Sequence, residues 1–154
     1  MKLETVINLE KSGLNPHEAV EMFVSENESP KKVLKFSYVQ LSDPPTNIEY
    51  PKETDIVFDE PISKKLLIMY PITNVPVFSI RGNTRNELIK EIVSAYHKLY
   101  DIEEESSKFI ASSMGFETSA NTPGLIGIWG HSLRDLVLHT ISIYNNCILI
   151  GVDS

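Results

Sequence analysis

The sequence predicts an α+β fold: a largely antiparallel sheet packed by one long helix (about residues 85–100), with a shorter N-terminal helix and a C-terminal β-hairpin. Three observations carry this. Val137 to Tyr144 alternates strictly, and Asn145-Asn146 then leads into the apolar run Cys147 to Val152, which is a hairpin pattern. Thr84-Arg85-Asn86-Glu87 is a capping box, followed by Leu88, Ile89, Ile92, Val93, Tyr96, Leu99 and Tyr100 at helical spacing. Between the N-terminal helix and this one lie several short strand-like runs, so helices and strands are segregated, not alternating.

The hairpin has a definite register. A two-residue turn at Asn145-Asn146, whose side chains tolerate positive φ, sets Ile143 opposite Ile148, Ile141 opposite Ile150 and His139 opposite Val152. Ile141, Ile143, Ile148, Ile150 and Val152 then form a core face, with Thr140 on the other side. A slip of one residue would send Ile148 and Ile150 across the sheet.

Earlier in the chain, Met1 to Gly13 reads as a short strand or a helical turn. Asn15-Pro16-His17-Glu18 starts a helix to about Ser25, with Asn as cap and Pro at the first helical position. Val33 to Leu41 reads as a strand with Leu34, Phe36 and Tyr38 on one side. Ser42 to Lys52 carries Pro44, Pro45 and Pro51 and reads as a loop. Ile56-Val57-Phe58, Leu66 to Tyr70 and Val75 to Ile80 read as strands, and Pro71 and Pro76 suggest edge positions. Asp101 to Ile110 either extends the long helix or starts a short acidic one. Ser112 to Thr122 reads as a loop, Leu125 to Trp129 as a short strand, and Ser132 to Asp135 as a turn or a single helical turn.

The chain of 154 residues suits one domain, residues 1–154, with 42% hydrophobic and 23% charged residues. A net charge of −7 argues against wholesale nucleic-acid binding and leaves room for a local basic patch. The single Cys excludes an intramolecular disulfide and a Cys-based zinc site, and it fits a reducing compartment. The longest apolar runs fall far short of the roughly 18 residues of a membrane span. Glu4 and Glu10 interrupt what a signal peptide would need, so no targeting segment is expected.

The residues that carry chemistry are few. His131, Asp135 and His139 are spaced by four, which on a helix would make a metal face. The strand pattern from Val137 onward places His139 elsewhere, so no metal and no cofactor is expected. His131, Ser132 and Asp135 supply the residue types of base, nucleophile and orienter, but five consecutive residues must fold tightly to meet, and no Gly-x-Ser-x-Gly elbow is present. Arg81, Thr84 and Arg85 lead a strand into a helix N-terminus, where a phosphate is a candidate ligand beside the plainer reading of a capped turn. Trp129, Tyr96 and Tyr100 are candidate interface residues. Lys31, Lys32, Lys35, Lys64 and Lys65 read as a basic strip or as solvated strand edges.

Three segments, TRNELIKEIVSAYHKLYDIEEE, PGLIGIWGHSLRDLVLH and the ending LIGVDS, resemble a protein family of large DNA viruses of protists, the marseillevirus group in particular. The likeness covers roughly the C-terminal half. GIWGH, Asp135-Leu136 and Gly151-Val152-Asp153-Ser154 carry it, and Ile7 to Tyr70 has no part in it. It implies a giant-virus protein, with packaging in the virion as one expectation, and supplies no catalytic residues to carry over.

The function expected is therefore a non-enzymatic viral interaction protein acting as a homodimer inside the host cell, with other viral or host proteins as further partners and no membrane contact. One alternative is a small enzyme with a site around Trp129, His131 and Asp135. Another is a nucleotide or nucleic-acid binder using the turn from Arg81 to Arg85.

Overall fold

The computed structural model describes residues 1–43, 57–118 and 122–154. Among these residues six strands, β1 (Lys2–Ile7), β2 (Lys32–Gln40), β3 (Ile62–Leu67), β4 (Val75–Gly82), β5 (Val137–Ile143) and β6 (Cys147–Asp153), form one sheet in the order β1-β4-β3-β6-β5-β2. The same residues form helices α1 (Leu9–Ser12), α2 (Pro16–Glu21) and α3 (Arg85–Ser113) and a 3-10 turn at Leu133–Asp135. It is the α+β, largely antiparallel architecture expected. The exception lies in the middle, where β3 and β6 pair in parallel through Lys65↔Cys147 and Leu66↔Ile148. Two antiparallel three-stranded halves thus meet at one short parallel seam.

The connections follow from strand direction. Because β3 and β6 are parallel, their hairpin partners β4 and β5 also run the same way. Parallel strands need a crossover, and α3 supplies it between β4 and β5. Its N-terminus is capped as expected: Glu87 N donates to Thr84 Oγ1 at 3.2 Å and Thr84 N to the Glu87 carboxylate at 3.2 Å. The helix does not stop at Tyr100. No Gly or Pro interrupts it before Gly115, Lys108 pairs with Glu104 one turn back, and Ser107 and Ala111 are buried, so it runs 29 residues, about 43 Å.

α2 keeps its predicted cap. Asn15 Oδ1 accepts from Glu18 N at 2.8 Å, and Asn15 N donates to Glu18 at 3.1 Å. The helix ends at Glu21, short of Ser25. Successive residues Leu66 and Leu67, and Val77 and Phe78, are all buried. Neighbouring strand residues point to opposite faces, so the sheet is covered on both sides there. Leu9, Ala19, Val20, Phe23 and Val24 join the same core cluster as α3's Leu88, Ile89, Ile92, Val93, Tyr96 and Leu99. Each fully buried aliphatic side chain in it contributes roughly 1.5–3 kcal/mol.

Several sequence expectations are overturned. β3 and β4 are interior strands, not edges. Pro76 is tolerated in β4 because its carbonyl accepts from Ile68 N at 3.2 Å. Its missing N–H points the same way, past Leu67 where β3 ends. The strand expected from Leu66 to Tyr70 therefore stops at Leu67, a turn occupies residues 69–74, and β3 starts earlier, at Ile62. Val57 and Phe58 form a bend whose N–H groups both reach Asn83 O, not a strand; Ile56 and most of the proline-rich loop lie outside the described residues.

The terminal hairpin shows both a match and a correction. Ile143 faces Ile148 and Ile141 faces Ile150 as expected, across a two-residue turn closed by Tyr144 N donating to Cys147 O at 2.8 Å. Neither turn Asn has positive φ; among the described non-glycine residues only Asn27 does. His139 does not face Val152. The register shifts at His139, so Leu138 faces Val152 and Thr140 faces Gly151. On the other side of β5, β2 sets residues 36–38 against that one residue, between Lys35↔Thr140 and Val39↔Leu138. The bulge turns Leu138 and Val39 into the core and leaves Tyr38 exposed, so Leu34 and Tyr38 do not share a face.

Two outcomes follow for stability. Ile141→Asp places an uncompensated charge at a fully buried position and is expected to cost more than about 4 kcal/mol in urea unfolding, whereas Thr140→Asp is expected to cost under about 1.5 kcal/mol. Equal losses would mean that Thr140 faces a closed interior. Thr84→Ala removes the α3 cap and is expected to cost about 1 kcal/mol in the same titration.

Candidate functional site

One stripe of α3 organises the irregular segments at the C-terminal ends of β3 and β6. Tyr96, Tyr100, Glu103 and Ser107 recur at helical spacing and so lie along one side of the helix. Tyr96, fully buried, donates its hydroxyl to Tyr70 O at 2.8 Å. Tyr100 donates to His131 O at 3.0 Å. Glu103 accepts three backbone N–H groups, from Ile126 (3.0 Å) and Gly127 (3.2 Å) at Oε1 and from Ile128 (2.6 Å) at Oε2. Ser106 Oγ accepts from Leu125 N at 2.8 Å, and Ser107 Oγ donates to Thr122 O at 2.5 Å.

These bonds explain why residues 125–129 are not the strand expected. The N–H groups of Ile126, Gly127 and Ile128 go to a carboxylate, that of Leu125 to Ser106 Oγ and that of Trp129 to Pro71 O, none to a neighbouring strand, and Gly127 turns with φ +69°. Gly124 lies so close to the helix that a Cβ there would stand 2.5 Å from Glu103 O, which only glycine avoids. Burial holds the Tyr100 hydroxyl neutral, its pKa pushed up to about 12. Burial likewise raises Tyr96, so both phenols remain donors across the physiological range.

The two segments so held bring three rings together. Tyr70 follows β3 and precedes a cis peptide bond to Pro71. Trp129 lies edge-on to Tyr70, with ring centres 5.5 Å apart, and 6.2 Å from His131. The Trp129 indole N–H donates to Ile72 O at 3.2 Å, and its backbone N–H donates to Pro71 O at 3.0 Å. The Tyr70 hydroxyl lies 2.9 Å from His131 Nε2 and 2.9 Å from Ser154 Oγ. Trp129 is nevertheless 50% exposed. The result is a half-exposed indole that cannot swing freely.

The predicted site residues separate around this cluster. Trp129 and His131 meet there. Asp135 does not join them: its Oδ2 accepts from Ser132 N at 3.1 Å and Ser132 Oγ at 3.0 Å, closing a single 3-10 turn. Those two bonds hold the Asp135 carboxyl below the usual carboxylate range. His131, Ser132 and Asp135 are therefore not assembled as base, nucleophile and orienter, because Ser132 and Asp135 satisfy each other while His131 turns to Tyr70.

His139 lies apart from both. Its Nδ1 is 2.7 Å from Thr140 Oγ1, its Nε2 is 3.6 Å from Asp153 Oδ2, and its ring meets Tyr38 edge-on at 6.2 Å. Among the described residues no group of His, Cys, Asp and Glu could hold a metal. Tyr96 is corrected as an interface candidate, since it is wholly buried against its own sheet, and Tyr100 is half-buried with its hydroxyl occupied.

At the other candidate, the α3 N-terminus, the N–H groups of Asn83 and Thr84 and the Thr84 hydroxyl all point to the chain's own Glu87 carboxylate. Arg81 N donates to Glu91 Oε1 at 3.1 Å. The anion position that Arg81, Thr84 and Arg85 suggested is thus filled from within. The lysine strip divides: Lys32 Nζ donates to Val57 O at 3.1 Å, Lys35 stands beside Tyr38 and His139, and Lys31, Lys64 and Lys65 share a separate cavity.

Tyr70, Glu103 and Ser154 are the site residues that sequence reasoning missed. The signal available was the helical spacing of Tyr96, Tyr100 and Glu103, read as an apolar side when it ends in polar atoms. Glu103→Ala strands three backbone N–H groups and is expected to cost about 2–3 kcal/mol and to red-shift the emission of the single Trp. An unchanged spectrum and melt would mean that the loop holds its shape without this carboxylate.

No protein-family model, no curated protein and no solved structure matches the chain significantly.

Proposed function

We propose that the protein is a non-enzymatic interaction protein acting as a homodimer, with Trp129 at the centre of its contact. The observation that carries this reading is the state of the Trp129 side chain, half-exposed yet fixed by two hydrogen bonds and packed beside the Tyr70 and His131 rings. An indole ordered in advance loses little conformational entropy on binding, and such anchors dominate interface energetics. Leu125, exposed in the same loop, adds apolar surface beside it in sequence. A two-fold contact in which each subunit presents the same patch is the commonest arrangement of soluble homo-oligomers. The likeness of the helix, GIWGH and LIGVDS segments to the marseillevirus-group family supports reading this dimer as a protein of a virus-infected host cell and, by extension, of the virion, with viral or host proteins as further partners.

A second reading, a small enzyme using His131, is favoured by the 2.9 Å link from the Tyr70 hydroxyl to His131 Nε2, which would orient an imidazole for proton transfer. The separation of Ser132 and Asp135 from that ring speaks against it. The nucleotide reading of Arg81 and Arg85 is weakened by the Glu87 carboxylate at the α3 N-terminus.

Sedimentation across a wide concentration range is the test. A dimer is expected, and Trp129→Ala is expected to weaken it at least about 30-fold, the effect of losing a contact worth about 2 kcal/mol. A monomer at every concentration ends the homodimer reading. A dimer indifferent to Trp129→Ala moves the contact elsewhere, with exposed Phe109 on α3 the next residue to replace. His131→Ala and Asp135→Asn are expected to leave assembly intact, and an activity lost in His131→Ala with the fold preserved would favour the enzyme.

A further inference from the structure

The parallel seam has two ends. Tyr70 and Ser154 lie beyond the C-terminal ends of β3 and β6, beside Trp129. At the N-terminal ends of the same strands lies a cavity of about 620 Å³, lined by Lys31, Lys64, Lys65, Phe58, Ser63 and Asn145 among others. Its volume falls within the range of small-molecule sites. Lys31, Lys64 and Lys65 line it in a chain whose net charge is −7, and the Lys31 and Lys64 ammonium groups are near enough to repel each other.

The lysines are not equivalent. Lys64 Nζ donates to Tyr144 O at 2.7 Å and Asn145 O at 2.6 Å, so the carbonyls of the β5–β6 turn fix its head and leave one N–H uncommitted. Lys65 pairs with Glu4. The Lys31 ammonium has no hydrogen-bond or ion-pair partner among the described residues. Two carboxylates stand near: Glu4 is taken by Lys65, and Glu28 accepts from Asn145 N at 3.2 Å. Lys64 and Lys31 repel each other, and burial together with that repulsion lowers the Lys64 pKa. Two like charges held on one cavity wall are relieved by an anion between them.

The remaining lining suits an ester of that anion. The Asn146 amide supplies hydrogen-bond donors, Ser63 and Ser79, whose hydroxyls bond to each other at 3.3 Å, keep one O–H between them, and Phe58 and Ile62 supply an apolar wall. Phosphate is the anion that uses several ammonium, amide and hydroxyl donors at once, and lysine binds it as a point charge.

We propose that the cavity between the start of β3 and the β5–β6 turn binds a small phosphate monoester, with Lys31 and Lys64 on the phosphate and Phe58 against the organic part. This site is independent of the Trp129 contact, since the two lie at opposite ends of the seam.

The test is calorimetric titration of the full chain with AMP, ribose 5-phosphate, inorganic phosphate and adenosine. One saturable site per chain is expected for at least one of the two esters, tighter than for inorganic phosphate and undetectable for adenosine. Preference for AMP would assign a nucleotide, and equal binding of both esters a sugar phosphate; either supports the proposal. Lys31→Gln, at an exposed position without structural side-chain bonds, is expected to weaken binding at least tenfold. Lys108→Gln, which removes the same charge from α3, is expected to leave it unchanged. Absence of saturable binding of both esters at millimolar concentration overturns the proposal. So does binding that Lys31→Gln leaves intact, an equal loss in Lys108→Gln, or inorganic phosphate binding as tightly as the esters. Trp129→Ala is expected to leave the titration unchanged.

Discussion

Tyr96, Tyr100, Glu103, Ser106 and Ser107 on α3 hold the two irregular segments around the aromatic cluster, residues 70–74 and 122–131. The Glu103 carboxylate is the decisive member. Residues 126–128 form no strand ladder, and buried backbone N–H groups left without acceptors would each cost about 1–3 kcal/mol. One side chain satisfies all three, and in doing so sets the height of the loop above the helix. Trp129 follows directly, and its indole then reaches Ile72 O on the other segment. The position of the exposed ring is thus inherited from a helix residue 25 positions from Ile128. Without that carboxylate, the bonds with Thr73, Asn74 and Ser106 and those of Trp129 to Pro71 and Ile72 are left to hold residues 125–129.

The seam between β3 and β6 imposes a second constraint. Only two residue pairs register there, so the ladder alone joins the halves weakly. Side chains extend the join at both ends: Lys64 to the carbonyls of the β5–β6 turn, and Tyr70 to Ser154. α3 bridges the halves by connecting β4 to β5. The ends of a parallel pair are where side chains and loops must complete what the backbone leaves open, and both sites described above occupy such ends. Cys147 sits at the seam opposite Lys65, fully buried, its thiol pushed up to about 11 chiefly by burial, which keeps it protonated and inert.

What could be read from the sequence was what depends on near neighbours. The caps at Asn15 and Thr84 need only a carboxylate three residues on, and both formed. The Ile143–Ile148 and Ile141–Ile150 pairs follow from one turn and one alternation. The bulge at His139 could not be read there, because it is imposed by β2, where three residues pass opposite one. The missing strand at residues 125–129 depends on Glu103, and the roles of Tyr96 and Tyr100 depend on acceptors 26 and 31 residues away. An amphipathic pattern reports which side of a helix is covered; it does not say that a phenol there ends in a hydrogen bond. The sequence leaves the extension of α3 to Ser113 open, because the acidic stretch after Tyr100 carries no breaker and no strong apolar rhythm.

The outer strands β1 and β2 run in the same direction on opposite edges of the described sheet. Copies stacked by simple translation would therefore join β1 of one to β2 of the next in parallel, a contact that never closes and grows as a filament. Two copies related by a two-fold axis would instead join β2 to β2 antiparallel, which closes that edge. Both outer strands interrupt their own ladders, between Leu3 and Thr5 and between Lys35 and Val39, and carry Lys2, Glu4, Lys32 and Lys35. Irregular, charged edges make poor templates for an incoming strand. The same distortion that turns Tyr38 and His139 outward therefore also works against open-ended growth through the β2 edge of the described sheet.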